Sequence, residues 1–216
     1  MTPEKVESLF TRSDGSFQFA RWARPLAPVV FGTDDASIGA LKGAIRDVAA
    51  LGDLRLVDTD PELGANLLIF FVSDWSELDG VAHLDRLVPD LSQLLDRLTQ
   101  AGANQYRSFR FDADGAIRLC LIFLRYDADL AAVSARTLAV AQMAQSMLLW
   151  SDTAFRAESP VAVLAKGGEA IVRPEVAALI RAAYDPVLPA ASRTPAHAHR
   201  LAARARLLLG DLADDA

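Results

Sequence analysis

One cysteine, Cys120, and three histidines, His83, His197 and His199, are all that the chain offers for soft metal chemistry. An intrachain disulfide is therefore excluded, and so is a zinc site built on paired thiolates. Long apolar runs are missing too. The longest, ANLLIFFV from Ala65 to Val72, holds eight residues, against the roughly twenty that a membrane-spanning helix needs. The opening MTPEKVESLFTRSDGSF carries no apolar segment of signal-peptide length, which sets the expectation of a soluble, cytoplasmic chain. A basic surplus is absent as well. The chain has 22 Lys and Arg against 28 Asp and Glu, a net charge of -6, and a general nucleic-acid binder needs excess cations to displace phosphate counterions. No phosphate-cradling glycine loop, nucleophile elbow or Cys–His pair occurs. Conventional covalent catalysis is not expected, and neither is a resident cofactor.

What is present is apolar material in short, periodic pieces. Hydrophobic residues make up 52% of 216, enough to bury one sizeable core. Residues 1–20 read as an irregular, turn-rich lead-in. RPLAPVVFG (24–32) reads as a strand, and the helix after it starts at Thr33 or Asp34, with Ile38, Leu41, Ile45 and Val48 at helical spacing and Gly52 closing it. LRLVD (54–58) reads as a short strand, and ANLLIFFV as a central strand buried on both faces. A leucine-rich helix follows, broken at Pro89. Two strand-like runs then flank Asp112-Ala113-Asp114-Gly115, a hairpin turn. Residues 129–150 read as a long core helix. RPEVAALIRAAY (173–184) reads as another with Pro174 in its first turn, and 195–212 as a last amphipathic helix running into an acidic tail. The expected fold is mixed α+β or α/β. It has a sheet of four to five strands with a hairpin, packed on the long helix across residues 21–190 and followed by C-terminal helical residues 191–216.

Few polar groups interrupt this pattern. His197 and His199 lie two apart at a helix start, so their rings diverge by about 200° and are expected in solvent rather than on a metal. Asp58, Asp60 and Glu62 lack the spacing and mid-loop glycine of a calcium loop and read as a solvated turn. Cys120 lies within IRLCLIFL and reads as a buried apolar residue. Trp22 in RWARP is expected at the edge of the core, with Arg21 and Arg24 in solvent or paired to local acids. Leu201, Leu207, Leu208, Leu209 and Leu212 form a leucine face on the last helix beside Arg200, Arg204 and Arg206. Such a face either packs on the protein's own core or docks a partner.

Five segments carry a resemblance. FARWARPL (19–26), GANLLIFF (64–71), RLCLIFL (118–124), QSMLLWSD (145–152) and AAYDPVLP (182–189) follow one another in an order and spacing that resemble the zincin-like layout of metallopeptidases. More narrowly, the chain resembles an uncharacterised, usually exported bacterial family of unknown function with that layout. In an active zincin the long helix carries H-E-x-x-H, two zinc-binding histidines with a glutamate as general base. The resemblance places AQMAQ on that turn: Ala141 at the first histidine, Gln142 at the glutamate and Gln145 at the second histidine. Alanine offers no ligand, and a glutamine amide cannot take a proton as a carboxylate does. No His, Asp or Glu follows on the helix before Asp152, itself read as a loop cap.

A metal site and a conventional zinc peptidase are therefore not expected. The leading expectation is a non-catalytic protein that binds a protein partner, or a second copy of itself, through the C-terminal helix. One alternative is an enzyme using Gln142, Gln145 and Ser146 with a loop acid or arginine. The other is a small-ligand sensor whose two glutamine amides hold a bound molecule.

Overall fold

The computed structural model of the chain describes residues 1–165 and 167–214. Its elements run α1 (Pro3–Ser8), β1 (Phe19–Ala20), β2 (Pro28–Phe31), α2 (Asp35–Ala49), β3 (Leu67–Val72), α3 (Leu84–Leu87), α4 (Leu91–Gln100), β4 (Gln105–Phe111) and β5 (Ile117–Arg125). They continue with α5 (Ala128–Ala131), α6 (Ala135–Ser146), β6 (Val161–Val163), β7 (Ala170–Val172), α7 (Pro174–Ala183), β8 (Ala191–Ser192) and α8 (Ala196–Asp214). The architecture is mixed α+β around a four-stranded mixed sheet of order β2-β3-β5-β4. The first three strands are parallel and β4 is antiparallel at one edge.

Alternation of side chains along the central strands assigns the two faces. Leu67 and Ile69 of β3, with Cys120, Ile122 and Leu124 of β5, point into the larger core, where α1, α2, α6, α7 and α8 also contribute. Phe70 and Val72, with Leu119, Leu121 and Phe123, point into a second core closed by α4 and the turn Trp75–Gly80. Because β5 is covered on both faces, its sequence is apolar at almost every position, as expected for an interior strand.

Local chemistry sets most boundaries. Asp34 caps α2, its carboxylate accepting from Ser37 N at 2.9 Å, and Asp53 in the left-handed region closes the turn after it. The hairpin turn is held by Asp112, whose Oδ1 accepts from Asp114 N and Ala116 N, while Gly115 takes φ +83°. Pro89 separates α3 from α4, as its sequence position requires.

Three expectations need correction. The lead-in contains helix α1, capped by Thr2, and Val6 and Phe10 are fully buried. The run at 54–58 is no strand: it makes a single bridge, Leu26 to Leu56, before the Asp60–Gly64 turn draws the chain away. The long helix is two pieces, because Ser134 caps α6 and α6 ends where the chain turns to pair with β1. Leu149 N donates to Ala20 O at 2.9 Å, a long-range bond that outcompetes another helical turn. Of the two readings of the last helix, packing on the protein's own core is the one realised: α8 lies against α1 and α7 and buries Ala198, Leu201, Ala202 and Ala205. Of its leucine face, Leu207 is left exposed and Leu208 and Leu209 half-buried. The side chain of Leu212 and the last two residues of the acidic tail lie outside the described residues. Among the described residues no helix is long and apolar enough to cross a membrane.

Candidate functional site

Helix α6 is apolar over most of its length, so its polar side chains need partners. Gln142 and Ser146 are buried, at 1% exposure each, while Gln145 is half-buried. Ser146 Oγ donates to Gln142 O at 2.6 Å, and its own carbonyl accepts from the Trp22 indole at 2.8 Å. The indole bond fastens the end of α6 to the segment entering the sheet. Trp22 is accordingly an interior residue at 1% exposure, not an edge one.

Gln142 and Gln145 meet a residue that the sequence alone does not single out. Arg107, on the antiparallel edge strand β4, donates from Nη2 to Gln142 Oε1 at 2.5 Å and from Nη1 to Gln145 Oε1 at 3.4 Å. The Gln142 amide passes a bond onward to Gln105 Oε1 at 2.6 Å, and the Gln145 amide turns back to Ala141 O at 3.2 Å. The Arg107 Nε–H is enclosed and has no acceptor among the described residues. Among the described residues no carboxylate forms an ion pair with it, in contrast to Arg24, Arg125, Arg136 and Arg204. Burial pulls the guanidinium below its ordinary range, but an arginine remains charged at any working pH.

Cys120 lies behind this cluster. Burial pushes its thiol up to about 12, against the smaller opposing pulls of Arg107 and Ser146, so it is an inert neutral group here. The signal for Arg107 was available in principle. Gln105, Arg107, Phe109 and Phe111 alternate along β4, and an arginine on the inward side of an amphipathic strand needs a partner. Its partners lie 35 and 38 residues away, so the sequence did not show which they are.

The remaining candidates fall apart or become structural. Asp60 is buried at 4% rather than solvated. Burial acts to raise its pKa, but the Leu63 and Glu62 N–H groups, the Asn66 amide and Arg24 together hold it below the usual range. Asn66 is itself fully buried and bridges Ala27 N, Pro25 O and Asp60, tying the turn to the start of β2. Arg24 pairs with Asp60 and Glu62, as local acids would suggest. Arg21 donates to Trp22 O and Leu188 O and lies 5.3 Å from the Tyr184 ring centroid. His197, expected in solvent, is buried at 2% against Phe19, whereas His199 is exposed 3.8 Å from Glu7. Asp152 accepts from Ser13 N at 2.9 Å, holding the loop after α6 to the N-terminal turn.

Two clefts of about 550 and 540 Å³ open elsewhere. One is polar, at the carboxyl ends of β2 and β3 (Asp34, Ser73, Glu77, Tyr126), and one is apolar (Phe31, Phe70, His83, Leu87). Neither is lined by Gln142, Gln145 or Ser146. Among the described residues no three His, Cys, Asp or Glu side chains gather as metal ligands.

Comparison with family models, with curated proteins and with solved structures finds no match for this chain. The likeness to a zincin-like layout thus rests on the five segments quoted above.

Proposed function

We propose that this chain is a non-catalytic binding protein on a zincin-like scaffold, in which a fixed organic cation stands where a metalloenzyme would keep its ion. One observation carries the reading: the Arg107 guanidinium bridges Gln142 and Gln145. Under the zincin-like correspondence these are the general-base position and the second metal-ligand position. The site would keep a positive charge while losing every group that could activate water. A metal ion beside the Arg107 charge would also be repelled at close range.

The enzymatic alternative draws no specific support. Ser146 Oγ is buried and donates to a backbone carbonyl, and among the described residues no base is hydrogen-bonded to it. For docking a protein, the exposed part of the leucine face among the described residues is Leu207, beside Leu208 at a cleft of about 380 Å³ that Arg181 and Tyr184 also line.

Metal analysis tests the reading directly. Protein purified without chelator and then dialysed against micromolar zinc is expected to carry far less than one equivalent. An Arg107→Ala variant treated alike is expected to stay empty too, since the side chains at 141, 142 and 145 are not zinc ligands. Stoichiometric zinc in the wild type would overturn the reading and return the enzyme hypothesis.

A further inference from the structure

A charge enclosed by protein is tolerated when it is paired or when it holds a ligand. Arg107 has two of its five N–H groups on neutral amide oxygens, one on nothing, and no carboxylate among the described residues. Neutral amides orient a guanidinium but do not cancel its charge. The cluster reaches the protein surface: Gln105 is exposed, and Gln145 and Arg107 are half-buried. The Arg107–Gln145 bond, at 3.4 Å, is the longest of the set and the cheapest to give up. Releasing it would turn one edge of the guanidinium outward.

We propose that Arg107, with the amides of Gln105, Gln142 and Gln145, forms a binding site for a single carboxylate. The planar fork of a guanidinium matches a carboxylate with two parallel N–H···O bonds. One cation balances one negative charge, and a phosphate dianion would leave charge uncompensated. The Gln145 amide, now on Ala141 O, is the second donor placed to reach an oxygen of the ligand. The buried Gln142 holds the fork from behind, at 2.5 Å, and is in turn held by Gln105. Gln142 is thus a positioning residue, and Arg107 and Gln145 make the contact. This rests on the binding reading given above and names the chemistry of its ligand.

The test uses the full chain with ¹⁵N-labelled arginine. Acetate is titrated against chloride at constant ionic strength, following the Arg107 Nε–H resonance and the urea midpoint together. The expected result is a saturable shift of that resonance with acetate and a rise in the midpoint. Chloride should be weaker by at least about tenfold, the ratio that one charge-assisted pair sets. Arg107→Gln should abolish the acetate response, and Arg107→Lys, which keeps the charge without the fork, should weaken it. Trialanine and its C-terminal amide separate the sources. A tighter response to trialanine assigns the carboxylate to a peptide end, an equal one to a small acid, and both uphold the site. An unsaturable response, one matched by chloride, or one equal for the peptide amide overturns it. Those controls are made on the wild type, so they decide even if Arg107→Gln does not fold. Absence of acetate binding in zinc-free protein would sink this inference alone; bound zinc would sink the reading beneath it.

Discussion

His197 shows how much one side chain can hold in an unusual state. Both ring nitrogens are enclosed without partners among the described residues, and the ring lies 4.3 Å from that of Phe19. Burial first, then the nearby cations Arg200 and Arg21, push its pKa down to about 4. The imidazole is therefore neutral in the folded protein at pH values where the unfolded chain would protonate it. Its contribution to stability is complete above the ordinary value of about 6.5, declines as pH falls from there toward about 4, and stays lost below. Carboxylates titrate in the lower part of this window, so a variant is needed for contrast. His197→Phe, measured by urea unfolding from pH 7.5 to 4.5, is expected to lose less stability than the wild type, by on the order of 2 kcal/mol. Parallel curves would show that His197 is not the acid-sensitive group. The solvent position expected from sequence failed for a simple reason. The buried stripe of α8 at Ala198, Leu201, Ala202 and Ala205 is wide enough to take in position 197.

At the scale of elements, the join between β2 and α2 leaves no room for a side chain. Gly32 has φ +77°, and a Cβ there would lie 2.0 Å from the Phe71 carbonyl oxygen of β3. Gly64 has a similar φ of +72° but open space around it. Gly64→Ala should carry only the left-handed strain, about 1 kcal/mol, while Gly32→Ala adds a backbone clash and should cost at least about 1–2 kcal/mol more. Equal urea midpoints for the two variants would refute this view of the join. Much of the element plan was legible because it depends on nearby residues: Asp34 as a cap, Pro89 as a break, Asp112 to Gly115 as a hairpin turn. What was not legible depends on distant ones. Helix α6 ends at Ser146 because Leu148 and Leu149 bond to the β1 region more than 120 residues earlier, through Arg21 and Ala20. The site was half legible in the same sense. Two glutamines at helical spacing on an apolar helix were conspicuous, but Arg107 joins them only once the hairpin lays β4 beside α6.

For the whole molecule, the two ends of the chain close the larger core. Helix α1 lies on α8, and β1 pairs with β8 in register Phe19 to Ser192 and Ala20 to Ala191. Val6 and Phe10 belong to the same continuous cluster as Ile69 of β3, Ile122 of β5 and Leu201 of α8. Phe10 stacks on Trp150 at 5.2 Å and meets Phe19 edge-on at 5.3 Å, so it joins the N-terminal turn, the loop after α6 and the first strand. If the ends are integral to the core, damage at Phe10 must weaken the sheet as well as the turn. Phe10→Ala is expected to cost roughly 3–5 kcal/mol, and the midpoints seen by far-ultraviolet circular dichroism and by tryptophan fluorescence should fall together. An early fluorescence change with the dichroism midpoint unmoved would mean that the N-terminal region melts by itself, leaving residues 21–190 as the stable unit. Coincident transitions would tie the Arg107 cluster to the same cooperative unit, because β4 is held to the protein through β5 and that shared core.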